Sequence, residues 1–202
     1  FVYTDGSCIN NGTTNAKAGI GIYFGENDTR NVSERITGKQ TNNTAELSAI
    51  IKAYYQIETD IKNGVNITIV SDSIYAINCV TTYGKTCSIK GWKDDIPNKE
   101  LVKKGYELYN NLDNVKFKHI KAHTYKTDKH SLGNEQADKL ANNAIGLDHC
   151  PYDAPKIYLN VPYSRKEEVK ILGGMWDKNK KKWYINNYNE NKDIILDKFK
   201  SV

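Results

Sequence analysis

Four acidic residues stand where one short element gives way to the next: Asp5 in "FVYTDGSCINNG", Glu46 in "TNNTAEL", Asp72 in "ITIVSDS" and Asp138 in "GNEQADKLA". Each has an ordinary explanation. Asp5-Gly6 is turn chemistry, Glu46 suits the N3 position of a capping box on Asn43, Asp72 suits an N-cap, and an acid at Asp138 favours the positive end of a helix macrodipole. Their joint placement points elsewhere. Strand ends and first helical turns are where mixed and parallel sheets bind ligands. Four carboxylates gathered there would repel one another, and hard divalent cations relieve that repulsion. No Cys/His cluster competes, so magnesium is the favoured ion, with manganese as its substitute. Two such ions suit in-line phosphoryl displacement, clamping the attacking water and the leaving oxygen.

The elements that must carry these acids can be read from periodicity. Phe1 and Tyr3 alternate with Val2 and Thr4, which predicts a strand with Asp5 on the aromatic face. "AGIGIYFG" (18–25) and "NVSERIT" (31–37) extend it into a meander. A helix is predicted over 41–64, a strand over 65–73, a helix from Ser73 to about Tyr83 and another from Asn98 to Asn111. "NVKFKHIKAH" (114–123) reads as a strand and "GNEQADKLANNAIG" (133–146) as a helix. The order implies an α/β fold, a mixed sheet with helices on its faces.

"LDHCPYDAP" (147–155) reads as a linker. After it the chain offers a strand (156–161), a helix (164–174), a hairpin (175–185) and a last helix near 188–200, a small α+β unit. The net charge of +5 is unevenly held. Residues 1–155 carry 18 Lys and Arg against 18 Asp and Glu, whereas 156–202 carry 11 against 6, so the small unit is expected to meet an anion.

No apolar run approaches the ~18 residues of a membrane span, so no membrane partner is expected. The opening residues read as a strand, so no signal or transit peptide is expected. The four cysteines show neither C-x-x-C nor zinc spacing. An intracellular location is expected: the cytoplasm, or the host-cell cytoplasm if the source is viral.

"YTDGSCINNG", "TNNTAEL", "SDSIYAI", "GWK" and "KAH…GNEQADKLA", in this order over residues 1–146, resemble type 1 ribonuclease H. The resemblance implies a five-stranded mixed sheet flanked by helices, with two magnesium ions at Asp5, Glu46, Asp72 and Asp138. It also implies cleavage of the RNA strand of an RNA–DNA hybrid, leaving 5′-phosphate and 3′-hydroxyl ends. His123 matches the family's mobile histidine, which assists proton transfer or product release, a task suited to its near-neutral pKa. Fifteen positions separate His123 from Asp138, more than the family's usual loop, and His130 within that stretch is a substitute candidate. His119 is expected to be structural.

By the same resemblance Asn11, Asn42 and Asn43, with backbone groups around Ser7 and Cys8, contact the hybrid's minor groove, where an amide can both donate to and accept from a 2′-hydroxyl. Lys39, Thr41 and Asn98 match a phosphate pocket for the DNA strand. Tyr83 stands where the family commonly has a DNA-channel tryptophan, and Cys87 at a second such position. The basic protrusion that usually follows is thin, with Lys85, Lys90 and Lys93 preceding Asp94 and Asp95, and Trp92 is expected in the core. The small unit would supply the missing grip through Trp176, Lys178, Lys180, Lys181, Lys182, Trp183 and Tyr184, which interleave charge with rings. The same rings would also serve the core of so small a unit. This segment resembles a small domain of unknown function seen in large DNA viruses and plasmid-borne proteins. Two other readings remain: a catalytically silent hybrid-binding module, and another nuclease of this fold, such as a junction resolvase or transposase. The four intact acids count against the first, "GNEQADKLA" and "TNNTAEL" against the second.

Overall fold

A computed structural model describes residues 1–122, 126–148, 155–187 and 189–199. The first strand, β1 (Val2–Ile9), is longer than its opening pattern suggested, and Asp5 lies in its middle. It pairs antiparallel with β2 (Lys17–Tyr23), which pairs antiparallel with β3 (Val32–Arg35). On its other side β1 runs parallel to β4 (Ile67–Ser71), and β4 parallel to β5 (Val115–His119). The sheet order is β3-β2-β1-β4-β5, the five-stranded mixed sheet expected.

The two faces differ. On one, helix α1 (Asn42–Lys62) turns Leu47, Ile50, Ile51 and Ile57 onto Val2, Ile20, Ile22 and Ile69, the i, i+3, i+4 stripe of an amphipathic helix. Helices α2 (Ile74–Val80), α3 (Thr82–Ile89) and α4 (Lys99–Tyr109) follow, with Ala76, Val80 and Val102 completing that core and Trp92 packed against it. One helix was expected through Tyr83. The chain breaks at Thr81 (φ −125°, ψ −105°) and starts again; the second helix went unexpected since "TYGKTCSI" carries too few apolar residues to announce it by period.

The other face is covered by α5 (Lys129–Asn143), which begins four residues before the expected start, capped by the Asp128 side chain. Two glycines let helices approach the sheet closely. A Cβ at Gly6 would overlap the Glu46 amide nitrogen and the Ala45 backbone, and one at Gly21 would overlap the Ala137 carbonyl oxygen and the Ala141 nitrogen. Gly6 therefore serves close approach within a strand, and the expected Asp-Gly turn is absent. Gly6→Ala should destabilise the chain by about 1–3 kcal/mol or more, since α1 must move outward, and chemical denaturation would measure the loss.

Leu147, expected in the linker, is buried with Ile9 and Ile145. The small unit has its own sheet, β6 (Ile157–Leu159), β7 (Met175–Asp177) and β8 (Lys182–Ile185), in the order β6-β8-β7. A 3-10 turn (Tyr163–Arg165), α6 (Lys166–Ile171) and α7 (Lys192–Phe199) accompany it. Leu159, Val169, Ile185, Ile195 and Phe199 form a separate core. Cys8, Cys79 and Cys87 are buried free thiols, while Cys150 lies outside the described residues. Among the described residues no helix is long and apolar enough to cross a membrane.

Candidate active site

The register places the acids. Tyr3 pairs with Val70 across the parallel β1–β4 ladder, so two residues further on Asp5 lies level with Asp72, just past the end of β4. The Gly6 gap brings the first turns of α1, and Glu46 with them, against β1 beside Asp5. Gly21, the partner of Asp5 on β2, admits α5 on the other face and with it Asp138. Carboxylate oxygens of Asp5, Glu46 and Asp72 lie within 4.8 Å of one another, and all four acids line one recess of about 450 Å³.

The ordinary explanations for three of them fail on this geometry. The N-cap of α1 is Thr41, and its capping box closes with Thr44, leaving Glu46 out. Ser73, not Asp72, caps α2 through a bond from the Ala76 amide. Asp138 is ten residues into α5, beyond the first turn where the macrodipole acts.

Burial, then repulsion from Glu46, Asp72 and Asp138, pushes the Asp5 carboxyl well above the usual carboxylate range, against a 2.8 Å bond from the Gly6 amide. Burial, then Asp72, does the same to Glu46. Glu46 Oε2 and Asn42 Oδ1 are buried acceptors with no hydrogen-bond partner, and both residues line the recess. No lysine or arginine is among the described residues lining it. Four carboxylates offering oxygen ligands, with no lysine or arginine in that lining to neutralise them, fit a divalent cation.

Two residues that the sequence reading missed hold the acids in place. Asn134 Nδ2 donates to Asp72 Oδ2 at 2.9 Å. Asn142 Nδ2 donates to Asp138 Oδ1 at 3.1 Å, while Asn142 Oδ1 accepts from Ser7 Oγ at 2.5 Å. Asn134, Asp138 and Asn142 are spaced by four, one face of α5, and that spacing was the available signal. A third missed residue, Tyr75, lines the recess, and its hydroxyl accepts from Asn98 Nδ2 at 3.0 Å. Burial pushes the Tyr75 phenol up to about 12.

The remaining candidates are scattered differently. Ser7 is buried at the recess, its hydroxyl committed to Asn142. Cys8 is buried on the opposite face with Ala45, and its thiol is pushed up to about 11 by burial. Asn11 lies in the β1–β2 turn and Asn43 is exposed on α1. Lys39 and Asn98 line a second recess, and Thr41 lies between the two recesses at the start of α1. Tyr83 is exposed on α3 beside buried Cys87. His123 lies outside the described residues. His130, the substitute, is in the first turn of α5 with its Nδ1 3.3 Å from the Tyr3 hydroxyl and its ring edge-on to Phe1. Eight helical residues, about 12 Å, separate it from Asp138. His119, on β5, places Nε2 3.1 Å from the Asp72 carbonyl oxygen.

Of the seven residues of the small unit, Trp176, Trp183 and Tyr184 line one groove, and the four lysines are not among the described residues lining it. Trp176 and Trp183 pair across β7 and β8 at 5.5 Å, and Trp183 packs on the small core. Tyr184 lies beside Tyr158 and under Lys156. Lys180 lies over the Tyr158 ring, and Lys178, Lys181 and Lys182 are exposed around the hairpin turn.

Comparison with known proteins identifies a family for the larger part of the chain. The model of the family described as RNase H matches residues 1–146, and Domain of unknown function (DUF5710) matches residues 156–194. Ribonuclease H1 of Mus musculus is 37% identical over 145 residues, covering 70% of this chain and 48% of that protein. The chain thus spans about half the length of this mammalian relative. Probable ribonuclease H of Acanthamoeba polyphaga mimivirus is 36% identical over 190 residues, covering 81% of this chain and 82% of that protein. The solved PFV RNase H domain superposes with a TM-score of 0.55 at 22% identity, over 71% of this chain and 92% of that one, a likeness of fold.

Proposed function

The chain belongs to the RNase H family, and from that premise we propose that it is an endoribonuclease that cleaves the RNA strand of RNA–DNA hybrids, leaving 5′-phosphate and 3′-hydroxyl ends. The convergence of Asp5, Glu46, Asp72 and Asp138 on one recess carries the reading. These four would hold two magnesium ions, or manganese in their place, which when bound supply charge neutralisation at the scissile phosphate and an activated water.

The chain's own residues do the positioning. Asn134 and Asn142 aim the carboxylates of Asp72 and Asp138, so neither must be ordered when substrate arrives. Asn42 offers the recess an unpaired amide oxygen, the kind of group that accepts from a ribose hydroxyl. The first turn of α1 joins this recess to the one lined by Lys39 and Asn98. The RNA strand is therefore assigned to the acids and a DNA phosphate to Lys39, Thr41 and Asn98, contacts that set register without reading sequence. Asn11, Asn43 and the backbone near Ser7 and Cys8 are assigned to the minor groove, and Tyr83 to the DNA strand. His123 is assigned to proton transfer or product release.

Labelled RNA–DNA hybrid, duplex RNA and duplex DNA incubated with Mg²⁺ test the assignment, beside Asp72→Asn. Only the RNA strand of the hybrid should be cut, with the variant slower by roughly 10³-fold. Cleavage of duplex DNA would indicate a different nuclease, and hybrid binding without cleavage a silent module.

A further inference from the structure

The β1 strand that carries Asp5 continues past Ser7 into another concavity, which shares only Cys8 and Asn11 with the contacts assigned above. This groove, about 490 Å³, lies between the β1–β2 turn and the small unit; Asn10, Asn11, Lys156, Lys170, Trp176 and Trp183 are among its walls. Among the described residues no acidic side chain lines it. Lys156 bonds Asp177 at 3.1 Å and Lys170 approaches Glu167 at 3.9 Å, yet the Lys170 side chain remains 67% exposed. The Trp176 ring, edge-on to Trp183, is 47% exposed, an unusual state for tryptophan in a unit so short of core. Lys17 and Glu190 span the two sides with a 2.8 Å ion pair.

We propose that this groove binds a single-stranded nucleic-acid segment running out of the hybrid, with one base stacked on Trp176 and its backbone phosphates beside Lys156 and Lys170. Three features favour this occupant. The volume suits a nucleotide or two and excludes a duplex. Exposed rings alternating with lysines and side-chain amides are the chemistry of single-strand recognition, in which unstacked bases lie on rings and amides address their edges. The groove also lies further along the same strand: from Asp5 to Ile9, the last residue of β1 and one of the groove's walls, the chain advances about 13 Å, roughly four base pairs at ~3.4 Å per step. The whole positive excess of the chain lies in its last 47 residues, the segment that supplies Lys156 and Lys170. The lysines of the hairpin turn are not in the groove and make no specific contact in this scheme.

The inference rests on the proposed hybrid substrate, and the experiment reads the two separately. Affinity of the full chain is measured by fluorescence anisotropy for a blunt hybrid of about eight base pairs. The same hybrid is tested with single-stranded tails of about six nucleotides, RNA or DNA, at each of its ends. Cleavage of the blunt hybrid reports the proposed function alone. At least one tailed form should bind roughly tenfold more tightly than the blunt form, the scale of one stacked base. Trp176→Ala should erase that gain and leave blunt-hybrid binding and cleavage unchanged. Lys156→Gln with Lys170→Gln should lower the salt slope for the tailed form by about 0.7 per lysine, whereas Lys181→Gln should not. Equal affinity for blunt and tailed hybrids, or a Trp176→Ala loss common to both, overturns the proposal even if cleavage is normal.

Discussion

Asp5→Asn should abolish hybrid cleavage, by roughly 10³-fold or more, and make the metal-free protein more stable. The loss follows from removing the carboxylate nearest the other three. The gain follows from the same fact. Asp5 is buried beside Glu46 and Asp72, with Asp138 close enough to repel it, and burial alone already penalises its charged form. An asparagine oxygen still accepts the 2.8 Å bond from the Gly6 amide, so the exchange removes charge without stranding a donor. For a chain of this size each kcal/mol relieved moves the midpoint by about 2–4 °C. Thermal melts in EDTA at pH 7.5, beside the cleavage assay, check both halves. A variant that melts below wild type, or keeps activity within tenfold, contradicts the electrostatic account.

The second large effect is a pH dependence that divalent metal should reverse. Asp5 and Glu46 have folded-state pKa values above their unfolded values of 3.8 and 4.5. The native state therefore holds more protons than the unfolded state as pH climbs from about 4 through the raised folded values, and stability declines over that interval. In EDTA the melting temperature should fall across it and level off above it. Magnesium binds the ionised cluster, so its stabilisation should be absent near pH 4 and grow with pH. At a hundredfold excess over its dissociation constant it contributes about 2.7 kcal/mol, or about 5–10 °C. Melts from pH 4 to 9 with EDTA and with Mg²⁺ test this, and a metal increment independent of pH would refute it.

The four acids and the mixed sheet were legible because their signals are local: an alternating strand, an amphipathic helix and an acid near the end of each expected element. The strand count came from the family resemblance, and the structure then sets Asp5 in mid-strand and Asp138 deep in α5. What escaped depended on contacts between distant segments. Gly6 reads as a turn residue until α1 is seen against it, and Gly21 has no local signature of its nearness to α5. Asn134 and Asn142 look like ordinary helix-surface amides until Asp72 and Ser7 supply their partners. The start of α5 was misread because Lys129–Leu132 carry little apolar period, while the Asp128 cap that determines it resembles any loop aspartate. The surface expected around "WDKNKKKWYI" divided because its three rings line one groove while its four lysines lie at the hairpin turn, outside that lining.

Helix α5 lies along β1 in a fixed phase, with His130 at Phe1, Gly133 at Tyr3, Asn142 at Ser7 and Ile145 at Ile9. Inserting one residue within that helix would rotate everything beyond it by about 100° and swing Asp138 away from its companions. Segment length is thus frozen from Asp128 to Ile145, and a change in length is accommodated only outside that stretch.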